Sequence, residues 1–436
     1  MKQGDACSSL LCLFYLNDII DNINSELEGI LTIEDIQIYM LLFADDAVIF
    51  SHNPATLQSM LKDVENFSNS WGLRLNVAKT KIMIFENGRH TNYDFYLYNT
   101  LIENVKSFKY LGVHFFKNNN WNRTQLRIAQ HSLKSLHNLF KVINQIELKI
   151  SKTNQLFDSL ISPILNYAAE VWGYHEAPAI ETIQKKFCRK ILCVKRSTNI
   201  DALYGELGRI PLKMKRQLLM IKYWLKILTT NENSLLYKTY TMLKRDCDRG
   251  KTYNGSNWVH QIKIIIDKCG LSYIWHNQYT MAIDFNIIER RLLDIYHQEW
   301  YSSINNSRRL ETYAMFKHSF EFEKYLDCIQ EKKYRIALSR FRISAHSLAI
   351  ETGRYENIER NQRTCLNCNA GMPETEYHFL LVCTKYKDLR TKYFKRYYCS
   401  WPNIQKLTNL LSDKSNRSLN NLSKFIYFAS KLRVQQ

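Results

Sequence analysis

The chain has 436 residues, of which 45% are hydrophobic and 13% aromatic, and its formal net charge is +19. This apolar content excludes a disordered chain, and the length is enough for about three domains. The sequence contains no run of 18 apolar residues, so no membrane span is expected. The excess of Lys and Arg predicts a polyanionic partner such as nucleic acid.

The N-terminal part of the chain predicts a mixture of helices and strands. Apolar residues at helical spacing predict a helix over residues 8–28, and alternation around a bend predicts a hairpin over residues 36–50. The stretch "NPATLQSMLKDVENFSNSWG" predicts a helix within 53–72 that is opened by Asn-Pro and ended by Gly. We further expect a strand at 81–85 and short strands around turns over 95–115.

From about residue 121 onward the predicted elements are helical, because apolar residues recur every three or four positions. The predicted helices are 124–145, 152–170, 180–194 and 212–230, followed by a looser stretch (245–257) and a helical block (256–350). The predicted fold class is therefore α+β.

The stretch "LLFADDAVIF" places Asp45 and Asp46 side by side at the bend of the predicted hairpin. Two adjacent carboxylates repel each other, and burying either one without a partner is costly. Asp is also an ordinary residue of a solvated turn. These ten residues alone leave both interpretations open, a simple turn or a pair that holds divalent cations.

Four stretches in series extend the pattern: "KQGDACSSLLCLFYLND", "LLFADDAVIF", "WGLRLNVAKTKIMIF" and "FKYLGVHF". Together they resemble the later palm motifs of the reverse transcriptases of non-LTR (LINE-type) retrotransposons. The resemblance implies an RNA template, a DNA primer or target and deoxynucleotides as partners, and no membrane. It also implies that Asp45 and Asp46 hold Mg²⁺ (or Mn²⁺) ions, which activate the primer 3′-hydroxyl and stabilise the leaving pyrophosphate.

The same resemblance assigns further site residues. Gln3 and Gly4 match the loop that contacts template and nucleotide, although a helix-entry turn would use the same residues. Phe43 stands where many relatives have Tyr, and Lys79 matches a lysine near the nucleotide phosphates, with a solvated strand-end lysine as the alternative. Residues that match the primer-grip motif are Phe108, Lys109, Tyr110, Leu111 and Gly112. The apolar members of this motif could equally belong to the core.

In this family a third catalytic carboxylate lies on a strand before the Gln-Gly-Asp motif, and the printed chain begins after that point. Since two carboxylates alone hold Mg²⁺ weakly, we expect no polymerisation by this chain on its own. The alternative function is that of a non-catalytic, nucleic-acid-binding remnant of a retroelement.

The cysteines carry a second pattern. Eleven of them are scattered along the chain without the spacing of a disulfide framework, which predicts a reducing compartment, the nucleus or the cytoplasm. Cys365, Cys368, His378 and Cys383 have the types and spacing of structural Zn²⁺ ligands, with buried reduced cysteines and a core histidine as the alternative. The stretch also resembles the C-terminal CCHC module of the same retroelements.

Two basic runs, "QKKFCRKILCVKR" and "PLKMKRQ", lie in the helical middle. They predict a surface that grips an RNA–DNA duplex through its phosphates, or else a solvated helix face. The predicted domains are a partial reverse-transcriptase palm (1–116), thumb-like helices (117–175), a helical connector (176–330), and a helical and CCHC zinc-binding C-terminal domain (331–436).

Overall fold

The computed structural model describes residues 14–23, 28–85, 93–118, 120–250, 257–278 and 283–434. These residues are mostly helical with small sheets, which agrees with the predicted α+β class. Their contacts group the chain into two compact units, unit 1 (1–124 and 220–283) and unit 2 (125–219 and 284–436). The four predicted domains stay a prediction. Within the described ranges, no helix is both long and apolar enough to cross a bilayer.

The described strands form separate two-stranded pairs. Four pairs are antiparallel, β1 with β2, β3 with β4, β6 with β7 and β9 with β10, whereas β5 and β8 are parallel. The strands are β1 (Leu31–Ile33), β2 (Ile36–Ile38), β3 (Met40–Phe43), β4 (Asp46–Ile49), β5 (Lys81–Ile82), β6 (Tyr96–Leu97), β7 (Thr100–Leu101), β8 (Glu103–Asn104), β9 (Ser107–Tyr110) and β10 (Val113–Phe116).

Helices make up most of the remaining described structure. They are α1 (Pro54–Ser70), α2 (Trp121–Gln145), α3 (Ile150–Leu156), α4 (Ser162–Leu165), α5 (Ala169–Trp172), α6 (Pro178–Leu192), α7 (Ile200–Leu207), α8 (Leu212–Leu228), α9 (Leu235–Asp248), α10 (Trp258–Lys268), α11 (Ser272–His276), α12 (Phe285–Asn305), α13 (Glu311–Phe316), α14 (Tyr325–Cys328), α15 (Lys332–Arg342), α16 (Ala349–Tyr355), α17 (Lys387–Tyr393), α18 (Arg396–Cys399), α19 (Ile404–Ser412) and α20 (Asn416–Val434). Short 3₁₀ helices cover Asn17–Asn22, Arg308–Leu310, Arg360–Gln362 and Thr384–Tyr386, and π-helical turns cover Phe157–Ile161 and His378–Val382.

Helix α1 organises the core of the N-terminal part of unit 1. It begins as predicted, because the Asn53 side chain accepts a hydrogen bond from the Ala55 N–H at 2.9 Å and Pro54 occupies the first turn. One face of the helix buries Met60, Val64 and Phe67 in a cluster with Met40 of β3. A neighbouring position, Leu61, belongs to a second cluster that includes Ile82, Phe95, Leu97 and Ile102. The β3–β4 hairpin therefore rests on a packed helix.

Three predicted elements of the N-terminal part differ from the observed ones. The single hairpin expected over 36–50 is two hairpins, because β2 pairs with β1 and only β3 and β4 flank the Asp pair. The strand expected over 81–85 is limited to Lys81–Ile82. Of the helix expected over 8–28, the described residues include a helical stretch at 14–16 and a 3₁₀ helix at Asn17–Asn22, whereas 8–13 and 24–27 lie outside the described residues.

The helix predicted over 152–170 is wrong as one continuous element. A π-helical turn at Phe157–Ile161 interrupts it, and Pro163 follows, which has no N–H to donate to the preceding turn. The Asn166 side chain then donates to the Ser162 carbonyl at 2.8 Å, and Ala168 has a φ of 54°. The chain consequently turns before Ala169–Trp172.

Candidate metal centres

The two aspartates lie where a two-residue turn joins β3 to β4. Phe43 pairs with Asp46 across the hairpin, so Ala44 and Asp45 form the turn and Asp46 begins β4. Ala44 has a φ of 53°, the conformation that a primed hairpin turn requires of its first central residue. A residue with a Cβ is strained there, and strain of this kind is concentrated at functional sites. The predicted position of the pair at a hairpin turn is confirmed.

The face of this hairpin that carries the carboxylates is open to solvent and partly apolar. Asp45 and Asp46 are exposed, and so are Phe43, by 61%, and Leu41, by 39%. Met40, which points to the opposite face because side chains alternate along a strand, is buried in the core. An exposed aromatic ring beside two carboxylates is the arrangement expected of a surface that receives a ligand.

The predicted primer-grip residues form the second hairpin, β9–β10, which we call the grip hairpin. Its turn residues Leu111 and Gly112 have φ values of 45° and 81°, the pattern of a type I′ turn. Phe108 and Lys109 are exposed, whereas Tyr110 is half-buried. Burial raises the pKa of the Tyr110 phenol, and the negative charge of Asp46 raises it further. Asp46 is therefore near enough to the grip hairpin for its charge to act on Tyr110.

Other residues assigned by the resemblance are placed differently. Lys79 is exposed in the turn before β5, and among the described residues no hydrogen bond or ion pair joins it to either aspartate. The Asn76 side chain accepts a hydrogen bond from the Lys79 N–H at 3.1 Å, so it fixes this turn. Sequence reasoning did not single out Asn76, although it opens the Asn-x-x-Lys motif. Gln3 and Gly4 lie outside the described residues.

In unit 2, four potential ligand atoms converge. The sulfurs of Cys365, Cys368 and Cys383 and a ring nitrogen of His378 all lie within 4.8 Å of one another. The Cys365 and Cys383 sulfurs are 4.0 Å apart, and the Cys368 sulfur lies 3.3 Å from His378 Nε2. Tetrahedral Zn²⁺ requires about 3.8 Å between sulfurs and about 3.6 Å between sulfur and nitrogen. The cluster, which we call the CCHC cluster, thus has the dimensions of a zinc site.

Local backbone structure explains this convergence. Cys365 and Cys368 lie in a loop closed by the Thr364–Pro373 bridge and by a 2.9 Å hydrogen bond from the Cys365 N–H to the Met372 carbonyl. On a regular α-helix, residues five apart would be displaced by about 140° around the axis. The π-helical turn at His378–Val382, closed by the Cys383 N–H donating to the His378 carbonyl at 2.8 Å, reduces that displacement.

Burial governs the ionisation of three residues of the CCHC cluster. Burial raises the pKa of the Cys365 thiol, raises that of Cys383 to about 12, and lowers the pKa of His378. A metal ion would therefore bind by displacing the protons of the Cys365 and Cys383 thiols. Three thiolates and a neutral imidazole form a closed donor set, which is typical of a structural site rather than a catalytic one.

Residues around the CCHC cluster hold its loop in place. Glu374 is only 1% exposed, and its carboxylate accepts hydrogen bonds from Arg433 Nε and an Arg433 terminal nitrogen at 2.7 and 2.8 Å. The same carboxylate accepts the Ala349 N–H at 2.6 Å. Sequence reasoning missed this pair, because nothing in the local sequence links two residues 59 positions apart.

Part of the chain is similar to known proteins. The family model described as "Reverse transcriptase (RNA-dependent DNA polymerase)" matches residues 1–115, which include both the Asp turn and the grip hairpin. A transposon-derived protein of Caenorhabditis elegans is 27% identical over 139 residues, which cover 31% of this chain and 50% of that protein. The chain thus matches about half the length of that relative. The N-terminal quarter of the chain is reverse-transcriptase-like.

Proposed function

We propose that residues 1–116 are the later part of a reverse-transcriptase palm, in which Asp45 and Asp46 bind divalent metal for nucleotide transfer to a primer 3′ end. One observation carries the proposal: Asp45 and Asp46 lie exposed at a hairpin turn inside the segment that resembles reverse transcriptases. Bound Mg²⁺ or Mn²⁺ would supply charge stabilisation for the attacking and leaving oxygens.

The protein's own residues would position the substrates. The exposed Phe43 ring offers an apolar surface beside the carboxylates, and the exposed Lys109 of the grip hairpin suits a phosphate of the primer backbone. Lys79 would approach the nucleotide phosphates only when substrate is bound. Because two exposed carboxylates hold a divalent ion weakly, we propose that the pair works with a further carboxylate and with substrate phosphates.

We further propose that the protein derives from a LINE-type retroelement, that RNA and DNA are its partners, and that the CCHC cluster is a structural zinc site. The transposon-derived relative and the zinc-like dimensions of the cluster support this. The CCHC cluster stands apart in chemistry from the Asp pair, since it offers no carboxylate and no open coordination position.

Binding of Mn²⁺, followed by electron paramagnetic resonance on the full chain, tests the proposed palm site. Wild-type protein should bind Mn²⁺ weakly, and binding should be lost in Asp45→Asn and in Asp46→Asn. Asp94→Asn, which neutralises another exposed acid of unit 1, is the matched control and should bind as wild type does. Equal Mn²⁺ binding by all four proteins would contradict the proposal.

A non-catalytic nucleic-acid-binding protein is the second candidate function. A cavity in unit 2 that is lined by several cations, Lys186 and Arg189 among them, favours it, together with the net charge of +19. It predicts nucleic-acid affinity that does not change when Asp45 and Asp46 are both replaced by Asn and Mn²⁺ is present. The palm proposal predicts that Mn²⁺ increases affinity for a primer–template in the wild type but not in that double variant.

A further inference from the structure

Unit 2 contains a cavity of about 810 Å³ with a strongly basic lining. Helix α6 and the loop after it contribute one side, and the start of α15 contributes the other. The lining has seven cations: Lys186, Arg189, Lys190, Arg196, Lys332, Arg335 and Arg340. Its apolar wall includes Phe140, Ile143 and Ile150, and the lining contains no acid. The volume falls in the range of about 300–1,000 Å³ that is usual for small-ligand sites.

These cations lack the partners that would explain them as structural. Within the described part of the chain, none of the seven forms an ion pair with an acidic side chain, and Arg189 Nε is buried without a hydrogen-bond partner. Two of them are held by backbone carbonyls: Arg335 donates to Ile329 at 3.0 Å, and Arg340 donates to Cys193 at 2.8 Å. Like charges placed together repel each other, so a bound anion would stabilise the arrangement.

A second cavity, of about 1040 Å³, adjoins the first. The two share Cys193, Val194 and Arg340, and the Arg340 guanidinium donates to the Cys193 carbonyl at 2.8 Å. The second cavity carries Tyr355, which is 62% exposed. The Tyr355 hydroxyl lies 3.3 Å from Ser197 Oγ, which fixes the ring. An exposed, oriented aromatic ring next to a basic cavity is the combination that binds unpaired bases.

We propose that the two adjoining cavities bind a single strand of RNA or DNA, with its phosphates on the cations of the first cavity and a base stacked on Tyr355. A duplex has no unpaired base to offer this ring, so the ligand differs from the duplex predicted from the basic runs, although residues 184–196 supply four of the cavity cations. The proposal deepens the proposed function and rests on it for the choice of a nucleic acid as the ligand.

Fluorescence anisotropy of the full chain with labelled oligo-dT and oligo-U of about 12 nucleotides tests whether the cavity cations bind the phosphates of a strand. The triple variant Lys186→Gln, Lys190→Gln, Arg196→Gln removes three exposed cavity cations. The control Arg290→Gln, Arg291→Gln, Lys387→Gln removes three exposed cations of unit 2 that do not line either cavity. We expect at least tenfold weaker binding for the cavity variant at about 50 mM salt, and a salt slope shallower by about 2. Of oligo-dT and oligo-U, the one whose affinity falls more in the cavity variant identifies whether the site prefers DNA or RNA.

Substitutions of Tyr355 test the proposed stacking of a base. Tyr355→Leu should weaken strand binding about tenfold, whereas Tyr355→Phe, which keeps the ring, should bind as wild type does. Neither change should affect binding of tripolyphosphate, which has no base. The proposal is overturned if the cavity triple variant binds no more weakly than its control, or if Tyr355→Leu leaves strand binding unchanged. Mn²⁺ binding at the Asp pair, measured on the same proteins, should be unaltered, so the two proposals can fail separately.

Discussion

Arg342 and Glu206, which are 136 positions apart in the sequence, form a bidentate ion pair in the interior of unit 2. Arg342 Nε lies 2.9 Å from one Glu206 carboxylate oxygen, and a terminal nitrogen lies 3.1 Å from the other. Arg342 also contacts Glu323 at 3.1 Å, and Glu323 in turn pairs with the buried Lys317. Because all four side chains are buried, each charge depends on its partners to compensate for lost hydration.

Replacing Arg342 by Met should therefore destabilise unit 2 strongly. The substitution leaves Glu206 buried and short of its main partner, which costs about 3–5 kcal/mol. The measurement is the urea dependence of unfolding, followed by tryptophan fluorescence. Lys414→Met, which removes the exposed Lys414–Glu321 pair, is the control and should cost no more than about 1 kcal/mol.

A double variant separates the two causes of that loss. Adding Glu206→Leu to Arg342→Met removes the stranded carboxylate, so we expect part of the stability to return. A double variant no more stable than Arg342→Met alone would mean that the stranded carboxylate does not cause the loss, which would then rest on the lost packing of Arg342 on Phe316, at 4.4 Å from the ring centre.

Zinc should bind the CCHC cluster at one ion per chain. Cys368→Ala should abolish stoichiometric zinc and lower the melting temperature, since metal bound only by the folded state stabilises it. Cys399→Ala, which changes an exposed cysteine outside the cluster, should retain the metal. Metal analysis and thermal unfolding with and without a chelator provide the measurements. The assignment would be contradicted if the purified protein contained no zinc and Cys368→Ala had the same melting temperature as the wild type.

Ala44 should be a strained position of the Asp turn. Because its φ is 53°, Ala44→Gly should stabilise the β3–β4 hairpin by about 0.5–1 kcal/mol against local opening. Ala47→Gly, within β4, is the control and should destabilise the hairpin by a similar amount. Amide hydrogen exchange of β3 and β4 reports both changes. Slower exchange only in Ala47→Gly would show that Ala44 is not strained.

Local signals explain why much of this fold could be predicted. The Asn53 cap of α1 depends on a few neighbouring residues, and so does the turn at Asp45. The spacing of Cys365, Cys368, His378 and Cys383 is likewise contained in one short stretch, and the structure brings these residues together.

Contacts between distant segments could not be predicted in this way. The pairing of Glu374 with Arg433 joins segments that no periodicity connects, and the basic cavity appears only when α6 packs near α15. The interruption of the predicted 152–170 helix had one visible signal, Pro163, but the π-helical turn before it had none. Tertiary packing determined these features, and local propensity could not.

The pH dependence of stability should reveal the charge of Glu206. Burial alone would raise its pKa, but Arg342 and Lys317 outweigh burial and hold the pKa below the ordinary value of 4.5. An acid with a depressed folded-state pKa contributes stability above its unfolded-state pKa and loses that contribution as the pH falls through the folded-state value. Glu206→Gln should therefore be clearly less stable than wild type at neutral pH, and the difference should shrink below about pH 4.5.

Urea unfolding at a series of pH values measures this difference in stability. Glu356→Gln, which changes an exposed acid, is the control and should differ little from wild type at any pH. A difference between Glu206→Gln and wild type that stays constant down to acid pH would mean that shape, and not ionisation, sets the contribution of Glu206.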